Sequence, residues 1–418
     1  MVHTLLSGLA LVLGAVVVVP LGLALRVFRP PRARRIAYLG TGRIAQVFPR
    51  NGANLFLERE CSDFFGFFHE LWNIHFPAGA RGSLDLTPRH HLVDFDVPGP
   101  PLLRELVFLA WLLPFLRRNQ VSVVTATNPF LQGLNAALAG RLLGIPYAVI
   151  ITRDFDWDWQ VLGKRAFASV FPSRAAEARV GRWVLRHASL VLADRQYYRA
   201  FAIRNGARPE RTVATRVLAD QAYAEARACP AGVRQRYQLG PGPLLTYVGR
   251  LDPDKFSLDL VECLALVRQR FSRAQLACAG GGSLVDRLRA RAEELKLGDA
   301  LHLLGPLELA DLATLVASSD VVVAPHMGYT LVEAGLAGVP IVTYDYDFHP
   351  EVLVDGAADW LAPFRDVRAL AERVCAVLAD PEAARLTAAR LRERLLREHS
   401  LAVVVPQYQR AYARVLGG

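Results

Sequence analysis

Residues 244–283 read LLTYVGRLDPDKFSLDLVECLALVRQRFSRAQLACAGGGS. Leu244–Val248 is a short apolar run rich in strand formers, and it stops at Gly249-Arg250. Leu258 to Phe271 carries apolar residues at helical spacing. A second short apolar run, Gln275–Ala279, then ends in Gly280-Gly281-Gly282-Ser283. Strand, helix and strand inside forty residues is the unit from which parallel, doubly wound sheets are built.

The alternation continues in both directions. Downstream, Leu284–Leu297 predicts a helix, and Leu301–Leu304, Val321–Ala324 and Ile341–Tyr344 predict further strands. Upstream, Ile36–Leu39 opens into Gly40-Thr41-Gly42, and Val121–Thr125, Gly144–Thr152 and Ser189–Ala193 predict three more strands. Helical patterns at Leu102–Arg118 and Leu131–Leu143 lie between them. The stretch Asp220–Pro243, rich in Ala, Gly, Pro and charge, reads as a connection. A chain of 418 residues is too long for one ordinary core, so two α/β domains are expected.

Composition narrows the class. With 52% hydrophobic and 21% charged residues the chain is globular with an added apolar segment, and disordered classes are excluded. The formal charge of +10, mostly from Arg, suits nucleic acid, anionic lipid or phosphorylated substrates equally, and no nucleic-acid motif accompanies it. Five cysteines (Cys61, Cys229, Cys263, Cys278, Cys375) are scattered without a CxxC pair, which fits neither a disulfide framework nor a zinc site.

Leu5–Leu25 is uncharged over 21 residues, and Arg26, Arg29, Arg32, Arg34 and Arg35 follow it. As a helix it would span about 30 Å, the thickness of a hydrocarbon core. Arginines on the carboxyl side predict an anchor with its N-terminus outside and the rest of the chain cytoplasmic. A cleaved signal peptide would carry its positive charge before the apolar run.

Ligands of open α/β sheets bind beyond the carboxyl ends of strands, so the residues following each strand are the candidates for chemistry. Arg250 and Lys255 straddle a Pro turn and can converge on one anion, as a departing diphosphate requires. Solvated surface cations are the alternative for this pair taken alone. The Gly280–Gly282 turn precedes a helix and can admit phosphate or ribose to the backbone. In Ala324–Pro350, APHMGYTLVEAGLAGVPIVTYDYDFHP, Gly328 precedes a helix that carries Glu333 in its first turns. A carboxylate there can accept two hydrogen bonds from a ribose diol, or serve the helix dipole instead. Thr152-Arg153-Asp154-Phe155-Asp156-Trp157-Asp158 follows a strand end, and its acid spacing leaves metal binding as a minor alternative. Phe64–Phe68 with Leu71 and Trp72, and Leu106–Leu116 ending in Arg117-Arg118, have apolar faces flanked by aromatic and basic residues. Such faces suit a membrane interface, or a domain core.

Taken in order, VGRLDPDK, ACAGGGSLVDRLRARAEELKLGDALHLLGPLELADLATLVASSDVVVAP and GYTLVEAGLAGVPIV resemble the C-terminal domain of retaining GT-B glycosyltransferases of the group-1 (family-four) type. The likeness covers Leu244–Pro363 well and the N-terminal half loosely. It implies an α/β GT-B fold of two Rossmann-like domains whose parallel sheets face a cleft, with the N-terminal transmembrane helix added. The domains would be an anchor and basic flank at 1–35, an acceptor domain at 36–219, a linker at 220–243, a nucleotide-sugar domain at 244–395, and a C-terminal helix at 396–418 returning to the first domain. Arg250 and Lys255 match the family's diphosphate-binding pair. Glu333 matches the second Glu of its Glu–seven residues–Glu motif, which holds the ribose. The first Glu, which contacts the donor sugar, falls on Pro325; His326 beside it could offer a polar group, or simply shape the helix entry. Gly40 and Gly42 match the glycine loop of the first domain, and Asp154 or Arg153 stands near the reacting sugar.

The implied activity is transfer of a sugar from a nucleoside-diphosphate sugar to a lipid-linked or glycan acceptor at the cytoplasmic membrane face, with no metal, no cofactor and no nucleic-acid partner. The donor-binding set is Gly40, Gly42, Arg250, Lys255, Gly280, Gly282, His326, Gly328 and Glu333, and the catalytic set is Asp154, Arg250 and Lys255. Two alternatives stand beside it: a nucleotide-sugar epimerase of the same fold, and an inactive scaffold, for which Pro325 speaks. The anchor yields a direct expectation. Val2→Cys should react with an impermeant thiol reagent from outside intact cells and Arg34→Cys should not; the reverse labelling would invert the topology.

Overall fold

The computed structural model describes residues 33–41, 66–79, 81–217, 219 and 221–417. These fall into two compact units. One comprises the described residues up to Arg216 together with Val404–Gly418; the other is Val217–Val403.

In the first unit the strands are β1 (Arg35–Gly40), β2 (Glu70–His75), β3 (Gly82–Thr87), β4 (His90–Asp94), β5 (Val123–Ala126), β6 (Tyr147–Ile151), β7 (Leu190–Ala193) and β8 (Thr212–Ala214). Their order is β3-β4-β2-β1-β5-β6-β7-β8, parallel except for the β3–β4 pair. The sequence winds outward from β1 in both directions, so the order reverses between β1 and β5. Inner strands such as β5 and β7 are buried along their whole length, as expected of a parallel sheet covered on both faces. Leu71 and Trp72, read above as candidate interfacial residues, lie in β2 and are core. Phe68 is also core, edge-on to Tyr412 with ring centroids 5.3 Å apart, while Phe64 and Phe65 lie outside the described residues.

The second unit has β9 (Leu244–Val248), β10 (Gln275–Ala279), β11 (Leu301–Gly305), β12 (Val321–Ala324), β13 (Ile341–Asp345) and β14 (Leu361–Pro363). The order is β11-β10-β9-β12-β13-β14, parallel throughout, with its reversal between β9 and β12. Residues 221–243, expected as a plain connection, instead form the helices Gln221–Glu225 and Pro230–Arg236 within this unit. Val233 and Leu239 reach its core beside Leu244 and Leu315, and these few apolar positions were masked in the sequence by Gly, Pro and charge.

Small residues after Glu333 have packing reasons. A Cβ on Gly335 would come 2.4 Å from Leu395 Cδ1, so glycine lets the helix Thr330–Leu336 press against Pro381–His399. Gly338 follows the C-cap at φ +74, the left-handed conformation that glycine adopts without penalty. Among the described residues no helix is long and apolar enough to cross a membrane. The run Leu5–Leu25, where an anchor is expected, lies outside them.

The C-terminal helix, Leu401–Leu416, places Tyr412 in the core of the first unit. Its hydroxyl is 3.1 Å from Tyr38 Oη and 3.0 Å from Thr125 Oγ1, all buried. Tyr412→Phe keeps the ring and removes the hydroxyl that Tyr38 and Thr125 both contact. A loss of about 1–2 kcal/mol is expected, seen as a lower denaturant midpoint at unchanged slope; an unaltered midpoint would mean that these hydroxyl contacts contribute little to the unit.

Candidate active site

The loops after β9 and β10 are joined along a backbone seam. Gly249 N–H donates to Ala279 O (3.1 Å), Leu251 N–H to Gly281 O (2.9 Å), and Leu284 N–H to Leu251 O (2.9 Å). A Cβ on Gly280 would sit 2.0 Å from Gly249 O, and one on Gly282 would sit 2.3 Å from Leu251 O. Gly280 is also at φ +141. Both glycines are therefore required by the neighbouring loop itself. Gly281 is different: a Cβ there meets nothing within 4 Å, so it is the glycine of the three with room for a ligand.

A side-chain bridge closes the seam. Ser283 donates to Asp252 Oδ1 from both its N–H (2.8 Å) and its hydroxyl (2.9 Å). The backbone bond from Ser283, with Arg250 adding its charge, holds the Asp252 carboxyl below the usual carboxylate range. The other Asp252 oxygen accepts from Arg250 Nη1, and Arg250 Nη2 donates to Asp254 Oδ2 at 3.1 Å. Tyr247 Oη donates to Arg250 O (2.8 Å), fixing the main chain beneath. The guanidinium, 60% exposed, is thus aimed by two carboxylates. Asp252, Asp254 and Ser283 were missed by sequence reasoning; the Asp-Pro-Asp spacing beside Arg250 was the available signal.

Lys255 is half-buried at the end of the turn Pro253–Lys255. Phe256 follows at φ +51 and gathers the next loops. Its ring centroid lies 6.4 Å from His326 after β12, 6.3 Å from Tyr346 after β13 and 5.5 Å from Phe364 after β14, and Arg365 stacks above it at 4.8 Å. Arg365 also pairs with the buried Asp259 (3.0 Å), which accepts from Tyr344 Oη at 2.8 Å. Burial raises the Asp259 carboxyl, while Tyr344 and Arg365 act against that rise. His349, fully buried, lies 3.1 Å from Met327 O and 2.9 Å from Thr343 Oγ1, tying the loop that holds His326 and Gly328 to β13. A Cβ at Gly328 would meet nothing within 4 Å. Glu333 is 6% exposed, in the first turn of Thr330–Leu336. Arg250, Lys255, Gly281, His326 and Gly328 thus gather at the carboxyl end of one sheet, on both sides of its reversal point, with Glu333 one helical turn behind.

In the first unit Gly40 ends β1, and its missing Cβ leaves room for the His75 imidazole, whose Nε2 would be 3.2 Å away. Gly42 lies outside the described residues. Asp154 is the N-cap of Phe155–Leu162: Oδ1 accepts from the N–H groups of Asp156 (2.9 Å) and Trp157 (3.0 Å), and Oδ2 pairs with Arg204 (3.0 Å). Both oxygens are engaged and the residue is 5% exposed, so its local task is structural. Asp156 pairs with Arg174 (2.6 Å) and Asp158 with Arg153 (2.7 Å). Among the described residues no group of three or more His, Cys, Asp or Glu could hold a metal ion.

Residues 234–394 match the family of group 1 glycosyl transferases, and residues 73–217 match a glycosyl transferase 4-like domain. A phosphatidyl-myo-inositol mannosyltransferase of Mycolicibacterium smegmatis is 34% identical over 182 residues, 42% of this chain and 46% of that protein. A glycogen synthase of Mycobacterium tuberculosis is 33% identical over 165 residues, 38% of this chain and 40% of that protein. The chain spans less than half the length of these relatives. Among solved structures, sucrose-phosphate synthase of Thermosynechococcus elongatus aligns with a TM-score of 0.75 at 17% identity, over 92% of this chain and 99% of that one. Anabaena HepE in complex with UDP aligns with a TM-score of 0.69 at 17% identity, over 90% and 99%. The likeness to these structures establishes a two-domain GT-B fold.

The seam separates the three glycines by role. Gly282→Ala should destabilise the protein by roughly 1–3 kcal/mol or more, because a carbonyl occupies the space the methyl needs. Gly281→Ala should leave the thermal midpoint nearly unchanged; equal destabilisation by both would show that the seam extends over Gly281.

Proposed function

Because the chain belongs to the group 1 glycosyltransferases, we propose that it moves a sugar from a nucleoside-diphosphate sugar to a lipid-linked or glycan acceptor. The observation that carries this reading is the gathering of Arg250, Lys255 and Gly281 beside the β9–β12 reversal point, with Glu333 at the following helix start. Arg250 offers a planar fork and Lys255 a point charge, which together suit a diphosphate. As the sugar leaves, negative charge grows on the diphosphate, and cations already aimed at it lower the barrier without reorganising. Asp252 and Asp254 supply that aim in the unliganded protein: they hold the fork until phosphate oxygens replace them. Gly281 and Gly328 leave the backbone approachable, and Glu333 is the acceptor for a ribose diol.

The donor class is supported by the UDP bound to HepE and by relatives whose names specify GDP-mannose. A lipid acceptor is supported by relatives named as phosphatidylinositol mannosyltransferases. Retention of configuration follows the family type. The run Leu5–Leu25 and the arginines after it support an anchored enzyme working at the cytoplasmic face. Asp154, committed to its cap and to Arg204, has no part in this reading, and no metal or cofactor enters it. Pro325, standing where the family has its first motif Glu, favours a second reading, a scaffold that keeps the fold without turnover.

Calorimetric titration with nucleoside diphosphates, alongside a sugar-transfer assay on membrane-extract acceptors, separates the two. Glu333→Gln should weaken nucleotide binding by about 1–2 kcal/mol, roughly five- to thirtyfold, and lower transfer while the unliganded midpoint holds. Arg250→Ala and Lys255→Ala should weaken the diphosphate far more than the bare nucleoside. Nucleotide affinity untouched by Glu333→Gln, with a lowered midpoint, would assign Glu333 to the helix dipole. A parent protein that neither binds nucleotide nor transfers sugar would leave the scaffold standing.

A further inference from the structure

An open cleft of about 440 Å³ in the first unit is lined by Gly79, Arg81, Asp96, Val97, Pro98 and Arg104. It follows the carboxyl ends of β2 and β4, whose last residues, His75 and Asp94, stand in register with Gly40. This is the ligand edge of the sheet.

The charges of the cleft are unbalanced. Asp96 is spent on its own surroundings: Oδ1 accepts from Val97 N–H (2.8 Å) and from Arg104, and Oδ2 accepts from Gly79 N–H. Arg104 stands in the first turn of the helix Pro101–Arg118, which has no acid there and no side-chain cap. A cation at that end opposes the helix dipole, so the arrangement favours an additional anion. Arg81 adds a second guanidinium, exposed, with Nε donating to Asp96 O (2.7 Å) and its plane resting on Phe95 at 4.9 Å. Two cations and a helix N-terminus thus line the cleft with one carboxylate that is already satisfied, while Glu105, the acid beside Arg104, is held behind the lining by Asn135 Nδ2 at 2.8 Å.

The same helix is apolar on both sides. Phe108, Leu109, Leu112, Leu113 and Leu116 are buried in the core. On the opposite face Leu103 (51% exposed), Val107 (38%), Ala110 and Pro114 form a stripe at spacings of four, three and four. Eleven residues of helix carry it about 16 Å along the surface. Leu103 Cδ2 lies 3.7 Å from where a Cβ on Gly99 would stand, and Gly99 follows Pro98 of the lining, so the stripe begins at the rim of the cleft. A helix apolar all round calls for an apolar partner on its second face.

We propose that cleft and stripe together bind one phosphate-bearing amphiphile, its phosphate between Arg81 and Arg104 and its alkyl chain along Leu103, Val107, Ala110 and Pro114. Charge complementarity at one end and an uncharged track leading from it select this occupant over a second protein surface. As the acceptor subsite of a sugar transferase the site rests on the function proposed above; as a lipid site it does not.

The full chain in a phosphate-free nonionic detergent is titrated with dihexanoyl phosphatidate, inorganic phosphate, dihexanoylglycerol and, separately, UDP and GDP. Phosphatidate should bind at least tenfold more tightly than phosphate or dihexanoylglycerol. Arg81→Gln, which spares the Arg104–Asp96 pair, should remove most of that advantage, and Leu103→Ser with Val107→Ser should reduce phosphatidate to the level of phosphate. Phosphate binding as tightly as phosphatidate, dihexanoylglycerol doing so, or an indifferent Arg81→Gln overturns the proposal. So does a self-association of the unliganded parent that the double serine variant abolishes, which would put a second copy on the stripe. The nucleotide arms report on the transferase function alone: their failure with phosphatidate binding intact would refute that function and keep the lipid site.

Discussion

The contact between the loops after β9 and β10 sets the geometry of the second unit's ligand edge. Carbonyls of Gly249 and Leu251 fill the space where side chains of residues 280 and 282 would be. Backbone at that distance cannot yield as a flexible side chain can, so both positions are confined to glycine. The consequence reaches Arg250. With the loops locked, Ser283 arrives beside Asp252, Asp252 is held ionised, and the guanidinium is aimed before any ligand is present. Preorganisation of this kind matters because reorienting a charge during a reaction costs much of the stabilisation it brings.

A parallel sheet makes such an edge possible at all. Every strand of the second sheet ends on the same side, and the reversal between β9 and β12 parts the loops that follow. Phe256 lies against those loops and, through its neighbours after β13 and β14, collects four strand ends around one ring. The first sheet obeys the same rule, yet its acids serve a different end. Asp154, Asp156 and Asp158 each have an arginine partner, and Asp154 caps a helix as well. Acid spacing alone cannot separate a reactive carboxylate from a structural one, because two of the three partners come from helices distant in sequence: Arg174 and Arg204 lie 18 and 50 residues from the acids they hold.

What the chain could announce locally, it did. Short apolar runs gave β1, β5, β6, β7, β9, β10, β11, β12 and β13, because the inner strands of a sheet covered on both faces are nearly continuously apolar. Order and spacing of the three C-terminal motifs gave the family, and singled out Arg250, Lys255 and Glu333 as candidates. The strands β2 to β4 were not legible: β3 is exposed over most of its length, and β2 reads ELWNIH, too polar to stand out beside Phe64–Phe68. The helices of residues 221–236 were hidden for a similar reason, having few apolar positions to declare a period.

Tertiary structure alone decided what each glycine and each acid is for. A run of three glycines is the same in sequence whether a ligand or a neighbouring loop requires it, and only the carbonyls facing Gly280 and Gly282 distinguish them from Gly281. Asp252 and Asp154 are likewise both acids beside a strand end, one aiming a guanidinium and the other capping a helix. The sequence determined the fold class and the family, since periodicity and motif order are properties of consecutive residues. Roles passed to the tertiary structure, because a role is set by the nearest atoms, and the deciding ones here (Ser283 on Asp252, Arg204 on Asp154, the carbonyls facing Gly280 and Gly282) belong to residues far along the chain.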